Sequence, residues 1–158
     1  MARGDHTFLS ALPFFGVVLL VAASGSAFQP GDWYAGLEKP VWTPPNVVFP
    51  IVWPVLYVII AWAGWRFWRA GAGPWVLAAW GLQLVLNGAW SWLFFGLHEM
   101  ALAFFDIRLL WLCILATMAL GWRVDRTASL SLTPYLAWVG FASWLNFSIW
   151  MLNPDASG

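Results

Sequence analysis

Between Lys39 and Arg66 the chain reads Pro40-Val41-Trp42-Thr43-Pro44-Pro45-Asn46-Val47-Val48-Phe49-Pro50-Ile51-Val52-Trp53-Pro54-Val55-Leu56-Tyr57-Val58-Ile59-Ile60-Ala61-Trp62-Ala63-Gly64-Trp65, without one charge. About 20 apolar residues cross the roughly 30 Å of hydrocarbon in a bilayer as a helix, and this stretch exceeds that length. Three further uncharged gaps do the same: Asp5 to Asp32, Arg69 to Glu99 and Arg126 to Asp155. A fifth segment, Met100 to Gly121, is as apolar but carries Asp106 and Arg108. With 62% apolar residues, 9% charged residues and a mean hydropathy of +0.75, an ordinary soluble globule is excluded. The expected fold is an all-α integral membrane protein of one domain, residues 1–158. Five transmembrane helices are expected at about 7–28, 46–68, 74–95, 100–121 and 131–152.

A cleaved signal peptide is the rival reading of the N-terminus. Arg3 would be its basic region and Phe8–Ala23 its apolar core, with cleavage near Ala22-Ala23-Ser24 or Ser24-Gly25-Ser26. The uncharged stretch is long for that role, so it reads as the first span. Arg3, Arg66, Arg69, Arg123 and Arg126 fall on one side of a five-span topology, against Lys39 and the nearby Arg108 on the other. The excess of Arg places the N-terminus in the cytoplasm, if the membrane is an inner one. Net charge is zero, so nothing suggests nucleic acid as a partner. Cys113 is the only cysteine and can form no intrachain disulfide.

The loop at 29–45 holds Pro30, Gly31, Pro40, Pro44 and Pro45, so it cannot be one regular helix. It also carries Trp33, Tyr34, Leu37 and Trp42, and such an apolar connection should fold back as a lid. Fifteen Trp are far more than interfacial anchoring needs. Trp62, Trp65, Trp68, Trp75 and Trp122 suit an interfacial belt. Trp33, Trp42, Trp53, Trp90, Trp138 and Trp144 suit a cage for a flat aromatic guest.

Polar residues inside the spans repeat at helical spacing. Gln83, Asn87 and Ser91 form one stripe, and Asp106, Cys113 and Thr117 another. Tyr135, Trp138, Ala142, Leu145, Asn146 and Ile149 share a face of the fifth helix. Phe49, Trp53, Tyr57 and Ile60 share one on the second, where Ala61 and Gly64 allow close approach. Four faces thus suit a common cavity. Bonds between helices are the plain reading of Gln83 and Ser91, whereas Asn87 is as well suited to lining a site. Asp106, an intramembrane carboxylate, is a site candidate by default; it is expected near the start of its helix and out of reach of Arg108. No metal site is expected. His6 and His98 fall on opposite sides of the membrane, and no hydrolase set or phosphate loop is present.

Trp33-Tyr34-Ala35-Gly36-Leu37-Glu38-Lys39-Pro40-Val41-Trp42-Thr43-Pro44-Pro45 resembles the first loop of the tryptophan-rich sensory protein/translocator protein (TspO/MBR) family. The likeness continues through Phe49-Pro50-Ile51-Val52-Trp53, Leu56-Tyr57, Asn87-Gly88-Ala89-Trp90, Phe94-Phe95-Gly96, Pro134-Tyr135-Leu136-Ala137-Trp138 and Leu145-Asn146-Phe147. It implies five helices and a cavity on the first-loop side. That cavity would bind porphyrins such as protoporphyrin IX as ligand, with no covalently bound cofactor. The lining it implies is Tyr34, Trp42, Pro44, Phe49, Trp53, Tyr57, Asn87, Trp90, Ile107, Trp138, Ala142, Leu145 and Asn146. Some bacterial members break down protoporphyrin in light and oxygen, which would give Trp53 and Trp138 a catalytic role. The resemblance also implies a homodimer, and leaves the bacterial outer membrane open as a location. Cholesterol is not expected as a partner, because no Lys or Arg follows Tyr135 within five residues. The resulting expectation is a membrane receptor or sensor for tetrapyrroles. A porphyrin-degrading photo-oxidase and a tetrapyrrole transporter are its rivals.

Overall fold

The structure, a computed structural model, describes residues 6–156. Arg3 and the side chain of His6, which entered the readings above, lie outside the described residues. All regular structure among the described residues is helical: α1 (His6–Leu9), α2 (Leu12–Ser26), α3 (Asp32–Gly36), α4 (Val48–Arg69), α5 (Pro74–Ser91), α6 (Met100–Gly121), α7 (Arg126–Ser131) and α8 (Thr133–Leu152). A π turn, Trp92–Gly96, continues α5.

Three stretches are long and apolar enough to cross a membrane: Val48–Arg69, Met100–Gly121 and Arg126–Leu152. The apolar α2 is shorter. In α5 the polar Gln83 and Asn87 and the three indoles Trp75, Trp80 and Trp90 dilute an otherwise apolar helix. The first expected span is interrupted, and a short separate helix, α7, precedes the fifth, which runs as expected; proline is the reason for both breaks. Pro13 has no N–H to offer Leu9, so the first segment breaks between α1 and α2. Pro134 cannot bond back to Leu130, so α7 stops and α8 restarts after Leu132. Pro74 begins α5 at a position where a missing N–H costs nothing.

The helices close in the order α2, α4, α8, α6, α5, and α4 touches α8 only lightly. Gly64 on α4 and Gly121 on α6 make the closest approaches, Gly121 against the Phe67 ring and Gly64 against Trp80. A Cβ on Gly64 would overlap the Trp80 ring, which lies flat on the glycine and donates its indole N–H to the Ile60 carbonyl at 2.9 Å. Around this contact sits the main core, with Phe67, Leu84, Ile114 and Val139. A second core lies under the first loop, where Tyr34 and Leu37 pack with Phe94, Met100, Leu145 and Ile149. Outward faces are also apolar, as at Leu19, Leu20, Val58, Val85 and Leu109. Apolar residues both inside and outside are what lipid, rather than water, permits.

Arg66 ties the end of α4 to the α6–α7 connection through Asp125, Nε to Oδ2 at 2.7 Å. The same carboxylate caps α7 by accepting from the Ala128 N–H at 3.0 Å. The hydrogen bond from Arg66, more than the one from Ala128, holds Asp125 below the usual carboxylate range. A depressed value makes this contribution complete above about pH 4, the unfolded carboxylate range. It is lost as pH falls through the lower folded value. Arg66→Gln is therefore expected to cost under about 1 kcal/mol at pH 6, since Arg66 is part-exposed, and to flatten the acid side of a melting-temperature profile. An unchanged acid slope would show that Asp125 does not sense Arg66.

Candidate functional site

The first loop lies over the ends of α5 and α8. Its α3 turn points Trp33 and Tyr34 inward. Trp33 stacks on His98 with centroids 4.1 Å apart and planes 12° apart, and donates to the Ala156 carbonyl at 3.2 Å. His98 holds a φ of 60°, a left-handed conformation uncommon outside glycine, which sets its ring parallel to the indole. Tyr34 meets Phe94 and Phe95 edge-on, and Lys39 lies 4.6 Å from its ring centre. Burial pushes the Tyr34 hydroxyl pKa up. Asn153 then fastens the loop. Its Oδ1 accepts from the Glu38 N–H and its Nδ2 donates to the Glu38 carbonyl, each at 2.8 Å.

Beyond Lys39 the loop is looser. Val41 and Val47 are exposed, and Trp42 is 41% exposed with one edge on Phe141. Beneath it Phe49 meets Trp138 edge-on at 5.8 Å, Trp138 leans on Phe141, and Trp53 stacks on Tyr57 at 5.4 Å. The Trp138 indole N–H is buried and has no hydrogen-bond partner. Its ring also borders an apolar groove of about 550 Å³ between α4 and α8, with Val52, Val55, Pro134 and Ala137.

Two polar chains cross the bundle at this end. Trp90 donates to Asn146 Oδ1 at 3.0 Å, and Asn146 donates on to the Met100 carbonyl at 3.0 Å. Deeper, Tyr57 donates to Asn87, Asn87 to the Tyr135 hydroxyl, and Tyr135 to Gln83, at 3.1, 3.0 and 2.8 Å. A matching family model spans residues 11–151 and is described as TspO/MBR family.

The chain belongs to the TspO/MBR family. It is an integral membrane protein. It is similar to Protein CrtK of Rhodobacter capsulatus, 39% identical over 89% of this chain and 91% of that protein. It is also similar to the Tryptophan-rich protein TspO of Chlorobaculum tepidum, 42% identical over 88% and 92%. The human Translocator protein is 37% identical over 82% of this chain and 81% of its own length.

In this TspO/MBR chain the expected lining residues fall into three groups. Trp42, Phe49, Trp53 and Trp138 face the seam between α4 and α8, with half-buried Pro44 in the loop above and Ala142 one turn past Trp138. Tyr34 and Leu145 belong to the packed second core. Tyr57, Asn87, Trp90 and Asn146 are bound into the polar chains, and Ile107 is buried in the main core. Trp144 departs from the expected cage: it is 61% exposed and stacks outward on Phe147. Trp65 departs from the expected belt, being buried with its N–H on Ser10. Asp106 lies beyond the first turn of α6, buried, with Oδ2 unpartnered.

Sequence reasoning missed Asn153, His98 and Phe141. Asn153 follows the last helix in sequence, and only the fold brings it to Glu38. His98 could have been suspected from its place among aromatics, but its stack needs the left-handed turn. No group of three or more metal-ligating side chains occurs among the described residues.

Proposed function

We propose that this protein is a membrane receptor for porphyrins, sensing tetrapyrroles such as protoporphyrin IX under its first loop. The observation that carries this reading is Trp138, in the company of Phe49, Trp53 and Phe141. An unpaired buried N–H costs about 1–3 kcal/mol, so a site that keeps one is suited to a guest that accepts from it. A porphyrin offers a broad π face for the rings, and ring nitrogens and carboxylates as acceptors. Five crossings are proposed, α2, α4, α5 with its π turn, α6 and α8, with the arginine-rich end in the cytoplasm. A homodimer is proposed from the family resemblance alone.

Porphyrin breakdown in light and oxygen, with Trp53 and Trp138 as the participating indoles, is the second reading. The same unpartnered indole favours it, since nothing at that nitrogen is fixed by the resting fold. Transport coupled to ions has less support: away from helix ends the spans carry only Asp106 and Arg108 as charged residues.

Protoporphyrin IX is expected to quench Trp emission with a micromolar dissociation constant, about −8 kcal/mol. Trp138→Phe keeps a large ring but loses the donor, so affinity should fall roughly five- to tenfold, the worth of one hydrogen bond. If breakdown occurs, the variant should slow pigment loss under light by far more than it weakens binding. Quenching no greater than in an unrelated membrane protein would refute the receptor reading. Equal losses of binding and of pigment decay would leave Trp138 as a contact only.

A further inference from the structure

At the end of the bundle away from the first loop, arginines lie beside indoles. Arg66 lies over Trp62, Arg69 over Trp65 and Arg126 over Trp122, at 5.1, 4.8 and 5.6 Å from the ring centres. Arg123 has no ring and no carboxylate partner among the described residues. Among the described residues Asp125 is the one carboxylate at this end, and it is engaged by Arg66 and by the cap of α7. Arg69, Arg123 and Arg126 are therefore left without a counter-charge among the described residues.

Arg123 lines an open, largely apolar groove of about 570 Å³ at the end of α6, together with Leu115, Met118, Ala119, Leu120 and Trp122. Trp122 forms one wall, and Arg126 is held over that same ring. A groove on the outer face of a membrane helix meets acyl chains. The polar atoms that a lipid places at the depth of a terminal arginine are those of its phosphate. Basic pockets at the cytoplasmic ends of spans are suited to anionic headgroups.

We propose that this groove is a binding site for one net-anionic phospholipid, its phosphate on Arg123 and Arg126 and one acyl chain along Leu115 to Trp122. Charge complementarity selects the headgroup. A choline or ethanolamine ammonium would need a carboxylate, and the one among the described residues at this end is already paired. A glycerol headgroup adds no second charge and leaves the phosphate as the sole ionic contact. The site lies at the opposite end from the porphyrin site and does not depend on it.

The test uses the full chain in nanodiscs of dioleoylphosphatidylcholine with increasing dioleoylphosphatidylglycerol, read by melting temperature and by lipid retention in native mass spectrometry. The phosphatidylglycerol is expected to raise the melting temperature saturably, with one molecule retained. Arg123→Gln should weaken retention about fivefold, as loss of one basic contact near a membrane surface does, while Arg123→Lys keeps most of it. Ala119→Trp should weaken it comparably by filling the groove without altering charge. Both positions are exposed, so neither change should disturb folding in phosphatidylcholine alone. Equal effects of the two lipids would overturn the proposal. So would a preference that survives both substitutions, which would be diffuse surface charge. Loss in Arg123→Gln with full retention in Ala119→Trp would overturn the groove as the acyl seat.

Discussion

Gly64→Leu is expected to leave the bundle about 2–6 kcal/mol less stable, and to prevent its accumulation in a folded form in the membrane. The Trp80 ring occupies the space a side chain would need, so α4 and α5 would have to separate. Overpacking of this kind costs about 1–3 kcal/mol. Moving Trp80 also breaks its bond to the Ile60 carbonyl, leaving a buried N–H unpaired at a further 1–3 kcal/mol. Gly81, on α5, is the control, because a Cβ there meets nothing within 4 Å. Gly81→Leu should be neutral or slightly stabilising, since leucine favours helix over glycine by somewhat under 1 kcal/mol. Matched melting temperatures for the two variants in detergent would mean that the ring-on-glycine contact does not hold α4 to α5.

Asn146→Leu is the second large effect, because one side chain joins three helices. Its carbonyl oxygen holds the Trp90 indole on α5 and its amide holds the Met100 carbonyl at the start of α6. Leucine keeps the branched shape but is bulkier than the amide, so slight overpacking adds to the loss of partners by two buried groups. Interhelical bonds of this kind contribute about 0.6–2 kcal/mol each in membranes, which gives a loss of about 1–4 kcal/mol in stability. Trp90 would then be free to turn away from Phe94, on which it stacks at 5.2 Å. Porphyrin affinity should fall at least about tenfold, the equivalent of 1.4 kcal/mol. Trp90→Phe removes the same bond from the other side. The pair should therefore be non-additive in a double-mutant cycle by more than about 0.5 kcal/mol. Additive losses would place Asn146 and Trp90 in separate roles.

The pattern of these two sites explains how much was legible in the sequence. Uncharged runs locate the helical segments because the cost of burying charge in lipid leaves few exceptions. Asp106 and Arg108 mark the one segment in which it does. The Pro134 break coincides with the expected start of the fifth span at 131, whereas the one at Pro13 went unread, because a proline signals a break only when its position within the helix is known. Pro54 lies inside α4 without ending it, as neighbours in a membrane bundle permit. Helical spacing placed Gln83 and Asn87 on one face, and both take part in one polar chain with Tyr57 and Tyr135. Spacing also separates indoles that the cage reading grouped together, since six residues put two side chains about 120° apart around a helix. Trp138 and Trp144 lie fewer than two turns apart on α8, and one packs against Phe49 while the other is exposed. Contacts between distant stretches, such as Glu38 with Asn153, leave no periodic trace at all.

That last contact also reshapes the expectation for the lid. Asp32 to Lys39 is already fastened by Asn153, by the Trp33 stack on His98 and by the bond to Ala156. The adaptable half is Val41 to Val47, where Thr43 closes a single turn on Pro40 and the apolar side chains remain open. A guest beneath it adds a partner for Trp42 and Phe49, and the closed state gains population only by that differential contact. Amide exchange with and without protoporphyrin IX in the dark tests porphyrin binding under the first loop most directly. The account predicts added protection at Val41, Trp42, Thr43, Asn46 and Val47, little change over Asp32 to Lys39, and none in the α4–α5 or α6–α7 connections. Protection confined to those two connections, with the first loop unchanged, would contradict it.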